Sequence, residues 1–390
     1  MTLRKIAVLC VGVLLPMSGC SVVVPGSGVP DPNDPVMTLD TGNLPTTPRK
    51  PLTSEAQQRV LAANMLGDRA VAPWDVDPAF ITAGSRSVQV VLSSQNLGSG
   101  METSMRELLG RGGIQYGFAS ARHVDRSAVT TGLVTYLLRM TDDASATDVV
   151  GGFRTEPSEG RDDAITERPD VIAKRYDPIP GAPHTTIALM FNLGPIVVFM
   201  RSWGADPAKA HRNAVLAIDR QRSLLAGFAP PGPSDVTSLP VDKDGIVSYT
   251  VTATPPTQGT FDPDYGFRSA AGQLHWSEDP IATARLFAKA GVDLVGYGRN
   301  IVFRARDPEG AQMLANEWHN RSADEKKATG FSIAGLPTAK CRTYATGALD
   351  EPRSTCYLPV GRYLSEYSDS QPEKVRQVTS AAYLILRHAS

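Results

Sequence analysis

Apolar residues along this chain recur in two rhythms, every second position over short runs and every third or fourth over longer ones. The first predicts strands and the second amphipathic helices. A helix over 54–70 comes first, capped by Thr53 or Ser54, with Val60, Leu61, Ala63 and Met65 at helical spacings. The stretch Pro73-Trp74-Asp75-Val76-Asp77-Pro78 ends it. A strand is expected over Ser87–Leu92, then a helix from Met101 to Leu109 that stops at Gly110. Leu133–Leu138 reads as a strand leading into Asp142, which is placed to cap a helix running to about Phe153. Pro180-Gly181-Ala182-Pro183 precedes another strand, Ile196–Met200 forms a further one, and Pro207–Leu225 closes the series as an amphipathic helix.

The series then returns. Val247–Thr252 matches the first strand, and Ile281–Ala290 before Gly291 matches the next helix. Ile301–Arg306 leads into Asp307 and a helix to about His319, with Gly296-Tyr297-Gly298 as a hairpin turn ahead of it. Ala334-Gly335-Leu336-Pro337 precedes a strand, Tyr357–Leu364 is a second, and Pro372–Leu386 is the last helix. Offsets between matched landmarks run from 154 (Pro183 to Pro337) to 178 (Ile114 to Val292), so the loops differ in length while the order holds. This punctuation predicts a duplicated β-α-β-β-α-β-β-α unit. The expected fold class is α+β, with two tandem related domains over 52–229 and 245–390. Each is an open, mainly antiparallel sheet covered by helices. Pro230, Pro231, Pro233 and Pro240, followed by Asp242-Lys243-Asp244-Gly245, mark 230–244 as the linker.

The N-terminus carries an address. Arg4 and Lys5 precede ten apolar residues, Ile6–Leu15, too short to span a bilayer and of the length of a signal-peptide core. Pro16-Met17-Ser18-Gly19-Cys20 follows and resembles the lipobox of bacterial lipoproteins, with Met17 where Leu is more usual. The resemblance implies that 1–19 is a signal peptide removed before Cys20 and that Cys20 carries diacylglycerol through a thioether. The expected location is then the outer face of the cell membrane, since two or more acyl chains anchor stably where one does not. Seven prolines between Ser21 and Pro51 exclude a helix or a central strand, so 20–51 reads as a lipidated, Pro-rich tether. Asp31 and Asp34 within it read as solvated charge.

Composition narrows the function classes. A hydrophobic share of 42% with 20% charged residues is that of a folded globular chain. The formal charge is −1, or −3 once Arg4 and Lys5 leave with the leader. No Lys/Arg run is present, which argues against a nucleic-acid partner or a polybasic membrane patch. Of four cysteines, Cys10 leaves with the leader and Cys20 carries lipid. Cys341 and Cys356 remain, with no His or Cys at metal-ligand spacing beside them, so an oxidising setting favours a disulfide between them. It would tie two late strands of the second copy and is local, because the first copy has no cysteines there.

The leader and lipobox, Asn43-Leu44-Pro45 with Pro48-Arg49, and Pro73-Trp74-Asp75-Val76-Asp77-Pro78 together resemble lipoproteins of mycobacteria and related actinobacteria. So does Gly361-Arg362-Tyr363 followed by the run from Gln377 to Leu386. That family is of unknown function, so the resemblance implies envelope location and architecture and brings no catalytic residue with it.

The chemistry is sparse. His123, His184, His211, His275, His319 and His388 stand singly, without an HExxH pair, a nucleophile elbow, a phosphate-binding loop or a full dinucleotide fingerprint. No cofactor and no metal are expected. Trp74 with Asp75 and Asp77 could form a polar recognition site, although a Trp plugging the core edge beside turn-capping acids is the plainer reading. His275 and Trp276 beside Glu278 and Asp279 could hold a general base, with a strand end and helix cap as the plainer reading. Asp262-Pro263-Asp264-Tyr265-Gly266 reads as a turn. The chain is therefore expected to be a non-enzymatic binding or accessory lipoprotein. Its partners would be the membrane, through the lipid, and a lipid, glycan or envelope protein lodged between the two domains. The alternative is an envelope hydrolase whose active site, around His275 or His123, assembles only in space.

Overall fold

The computed structural model of the chain describes residues 39–51, 53–84, 87–97, 101–125, 131–156, 160–180, 182–252, 262–347 and 349–389. The leader, Cys20 and the tether as far as residue 38 lie outside the described residues.

The first half begins with helices α1 (Glu55–Gly67) and α2 (Pro73–Val76), strand β1 (Val88–Val91) and α3 (Thr103–Arg111). It continues with β2 (Tyr116–His123), β3 (Gly132–Arg139), α4 (Asp143–Thr155), β4 (Arg161–Asp162) and β5 (Ile172–Tyr176). It closes with β6 (Thr185–Leu193), β7 (Ile196–Gly204), α5 (Pro207–Leu225) and the short α6 (Pro233–Val236). The second half opens with β8 (Gly266–Ser269), α7 (Ala270–Leu274), α8 (Pro280–Ala290), β9 (Leu294–Tyr297) and β10 (Ile301–Arg304). Then come α9 (Pro308–Arg321), β11 (Thr329–Phe331), β12 (Lys340–Thr346), β13 (Glu351–Val360), β14 (Tyr363–Asp369) and α10 (Pro372–Leu386).

Both halves build a seven-stranded antiparallel sheet along one path. The first runs β1-β2-β3-β7-β6-β5-β4 and the second β8-β9-β10-β14-β13-β12-β11, strand for strand the same order. Helices cover both faces. In the first half α3 and α4 close one core, and α1 and α5 close the other. In the second, α8 and α9 lie over one face and α10 over the opposite one.

Local chemistry explains the shared punctuation. Asp142 accepts from the Ser145 amide and Asp307 from the Gly310 amide, each capping the helix that follows its strand. Asp206 and Asp279 do the same for α5 and α8. Gly291 ends α8 in the left-handed conformation, at φ 66°. Two hairpins, Leu193 to Ile196 and Val360 to Tyr363, turn on Gly194 and Gly361 at φ 55° and 53°, which fixes equivalent registers in the two sheets.

Four sequence expectations are corrected. Residues 247–250 form turns, and the first strand of the second sheet is β8 instead. The expected unit held five strands, whereas short edge strands raise each sheet to seven. Residues 357–364 are not one strand, because Gly361 turns the chain from β13 into β14. Helix α3 runs through Gly110, and Gly113 takes the left-handed conformation.

Helix α1 joins the halves. It packs on β1 and β2 of the first sheet and on β8 of the second, and is buried nearly all round, including Gln57, Gln58 and Asn64. Gln57 donates to the carbonyls of Tyr265 (2.7 Å) and Asp262 (3.2 Å), so its side-chain amide spends its donors across the junction. In the 230–244 segment, the carbonyls of Thr237 and Leu239 accept from Gln58. The described part of the Pro-rich N-terminal stretch lies along α10. Leu39 and Leu44 pack on that helix's core, and Gln377 donates to Asp40 at 3.1 Å.

Candidate functional site

Two of the sequence candidates meet at the junction. His275, just past α7, lies 5.3 Å from the ring of Trp74 on α2 and 5.3 Å from Phe118 on β2. Its Nδ1 shares a hydrogen bond with the Ser120 hydroxyl at 2.8 Å. Burial pushes its pKa down to about 3, the Arg122 charge adds to this, and hydrogen bonds to the Gly67 and Ala70 main chain act the other way. The imidazole is therefore neutral. Arg122, 1% exposed, donates to the carbonyls of His275 (2.6 Å), Ser277 (2.7 Å) and Ile81 (3.1 Å) and lies 5.8 Å from the Trp74 ring.

A hydroxyl beside an imidazole has the residue types of a nucleophile and its base. Ser120 and His275 are 0% and 3% exposed, so solvent does not reach the pair, and what the contact does is join the two halves. The same junction holds Asp68, whose carboxylate accepts from Ser269 at 2.6 Å. Burial raises its pKa against that hydrogen bond. The Arg122, Ser120 and Asp68 side chains each reach across from the first half to the second here.

The other candidates separate. Trp276 covers Arg268, whose guanidinium lies 4.0 Å from the Trp276 ring and 4.1 Å from the Tyr297 ring. Tyr297 in turn donates to Gln273. Asp77 pairs with Lys209 at 2.7 Å and accepts from the Ala79 amide. Asp75 is exposed and lines a shallow depression of about 350 Å³ with Val71, Asp219 and Leu224. Cys341 on β12 and Cys356 on β13 face each other in register and form a disulfide, with Cα atoms 4.1 Å apart. Among the described residues no group of three His, Cys, Asp or Glu could hold a metal ion. Nor is any helix among them long and apolar enough to cross a membrane.

A further site emerges when the equivalent hairpins are laid over each other. In the first sheet, Ala119, Tyr136, Phe199 and Met190 pair across β2, β3, β7 and β6, and Ile172 on β5 extends the row. Phe199 and Met190 are 0% exposed and pack under Phe153 of α4. Counted from the two glycine turns, the same row of the second sheet is Tyr297, Ile301, Glu366, Tyr357 and Lys340. Trp318 of α9 stands where Phe153 stands, 6.0 Å from the Tyr357 ring. A carboxyl thus occupies the position of a core phenylalanine.

Glu366 is half-buried, and desolvation raises its pKa to about 7, against a weaker pull from Arg353. Among the described residues it has no ion-pair or hydrogen-bond partner. Tyr357 is 8% exposed, its hydroxyl has no hydrogen-bond partner among the described residues, and burial raises its pKa, with Glu366 and Tyr344 adding to the effect. Sequence reasoning passed over Glu366 because the strand expected over Tyr357–Leu364 stopped short of it, whereas β14 carries it. Aligning Gly194 with Gly361 was the signal that could have found it.

Residues 50–241 match the family described as "Domain of unknown function (DUF7373) N-terminal", and residues 249–389 match its C-terminal counterpart, "Domain of unknown function (DUF7373) C-terminal". No curated protein matches. Among solved structures, the extracellular domain of PknH from Mycobacterium tuberculosis is similar at 11% identity and a TM-score of 0.29, over 45% of this chain and 98% of that one. The di-domain ARO/CYC StfQ from the steffimycin biosynthetic pathway is similar at 10% identity and a TM-score of 0.12, over 77% of this chain and 91% of that one. At these scores neither likeness carries an argument.

Proposed function

The chain belongs to the DUF7373 family through both of its halves, and we propose that it is a lipid-anchored envelope protein that works by binding and not by catalysis. The first copy of the fold acts as scaffold and the second as the binding copy. One observation carries the reading: Glu366 and Tyr357 stand where the first copy has Phe199 and Met190. Burying a carboxyl at a core position costs free energy that a purely structural role does not require. The sealed Ser120–His275 contact supports binding over hydrolysis, since a nucleophile needs access to its substrate.

The leader, Cys20 and the Pro-rich stretch behind it support an anchor on the outer face of an actinobacterial cell membrane. The test pairs Cys20→Ala with crosslinking in intact cells. The parent is expected in the membrane fraction carrying fatty acid, and Cys20→Ala in the soluble fraction without it. Glu366→Gln is expected to keep the anchor and lose the crosslinked species. Equal membrane retention and fatty acid in Cys20→Ala would overturn the anchor, and an unchanged crosslinking pattern in Glu366→Gln would overturn the binding copy.

A further inference from the structure

The row beneath α9 also has the chemistry to say what it takes. Glu366 offers a carboxyl that solvent reaches and that no cation pairs among the described residues. Aromatic rings stand on one side of it: Tyr357 is its direct cross-strand neighbour, and Trp318 packs on Tyr357 from above. Tyr357 is nine-tenths buried with an unpartnered hydroxyl beside the carboxyl. The first copy shows that the fold itself needs neither the carboxyl nor the tyrosine beside it, because Phe199 and Met190 fill those two positions.

We propose that Glu366, Tyr357 and Trp318 form a receptor for an organic ammonium group. This rests on the reading of the second copy as the binding copy and names its ligand class. An ammonium supplies the opposite charge that the carboxyl lacks and is attracted to aromatic ring faces. An anion would meet the carboxylate head-on. A neutral polyol would satisfy hydrogen bonds and leave the charge uncompensated. The surroundings limit the rest of the ligand. On the same face of the sheet stand Lys340 beside Tyr357, Arg342 with its partner His319 of α9, Arg353, and Arg268 against Tyr297. Arg321 of α9 and Glu278 ahead of α8 both act on Tyr357 through space. A rim this basic favours a molecule whose far end is neutral or anionic, and disfavours a diamine.

The occupant also explains the ionisation. Glu366 rests with a pKa near 7 when nothing pairs it, so an ammonium binds its ionised form, and affinity rises with pH until the carboxyl is fully ionised. The groups that face this row include Arg353, Arg342, Arg321, Lys340 and His319, and burial with the charges of Arg342 and Lys340 lowers the pKa of His319.

Isothermal titration calorimetry of the detergent-solubilised full chain tests this with three probes: ethanolamine, O-phosphoethanolamine and ethylene glycol. Both amines are expected to bind saturably at pH 8, O-phosphoethanolamine the tighter, and roughly tenfold more weakly at pH 6 as Glu366 becomes protonated. Glu366→Gln is expected to lose this binding while unfolding at a urea concentration no lower than the parent's. Absence of amine binding by the folded parent at pH 8 overturns the inference, as does binding that survives in Glu366→Gln. Ethylene glycol binding that depends on Glu366, without amine binding, overturns the ammonium class and leaves the binding copy standing. Loss of a crosslinked partner in Glu366→Gln cells, with no amine binding, does the same. If all three probes fail and the crosslinking pattern is unchanged, both readings fall together.

Discussion

Arg122 of β2 donates to the main-chain carbonyl of His275 at 2.6 Å, fastening the first sheet to the segment that leads into α8 of the second half. The same nitrogen reaches Ser277 at 2.7 Å, and the His275 ring returns the contact through Ser120 at 2.8 Å. Each half supplies groups that the other must satisfy, because buried carbonyls without donors are costly. Arg122→Met leaves the carbonyls of Ile81, His275 and Ser277 without their donor. It is expected to cost about 3 kcal/mol, at roughly 1 kcal/mol for each lost hydrogen bond. Urea unfolding should report a midpoint for the variant below the parent's. A single transition at the parent's midpoint would show that the junction carries no such coupling.

The same junction sets an acid limit. His275 has a folded-state pKa near 3, below the ordinary value of 6.5 that applies to the unfolded chain. Between these values the unfolded chain binds a proton and the folded one does not, so stability falls as pH drops from about 6.5 towards 3. The slope approaches about 1.4 kcal/mol per pH unit for this group. His275→Gln is expected to flatten that limb of the stability profile in urea titrations at pH 4–7. Imidazole NMR should show a ring that stays neutral at pH 5, and a signal titrating near pH 6.5 would contradict the burial.

Order and punctuation were legible in the sequence because they are local. An aspartate with free first-turn amides behind it, as at Asp142 and Asp307, declares a helix start wherever it stands. The strands that escaped are those whose existence depends on a neighbour. β4 is two exposed residues, Arg161 and Asp162, held only by β5, and β8 is four residues laid against β9. Trp74 and His275 were each singled out from the sequence, but their meeting was not legible, since nothing local links α2 to the end of α7. Glu366 was hidden for a related reason. Tyr363-Leu364-Ser365-Glu366 shows no period-two alternation, and only the register against Ile301 and Tyr357 puts its acid in a core row.

The disulfide should matter for one half only. Cys341 and Cys356 are 15 residues apart and buried between β12, β13 and α10, and the first sheet holds its equivalent strands without any such bond. Closing a loop of this length contributes about 3 kcal/mol on the chain-entropy estimate. Cys341→Ser with Cys356→Ser is expected to destabilise the second half by about that amount. Hydrogen exchange should rise in β12, β13 and α10, with β2, β3 and β7 protected as before. Uniform loss of protection across both sheets would mean that the halves unfold only together and that the bond supports the whole molecule.

Glu366 gives the sharpest comparison, because the molecule contains its own control. Phe199 shows what the fold accepts at this position when nothing but packing is required. Glu366→Phe should therefore stabilise the protein, and its dependence on pH has a fixed sign. The folded-state pKa near 7 lies above the ordinary carboxyl value of 4.5, so between these the folded chain holds the extra proton. Wild-type stability then falls as pH rises from about 4.5 to 7 and stays lower above that. The variant lacks this loss. Its advantage in urea unfolding should be smallest at pH 4.5 and widen to about 2 kcal/mol by pH 8, after allowing for solvent screening of a half-buried carboxyl. An advantage independent of pH would mean that Glu366 ionises as an ordinary surface carboxyl, and its place in the row would then carry no ionisation cost.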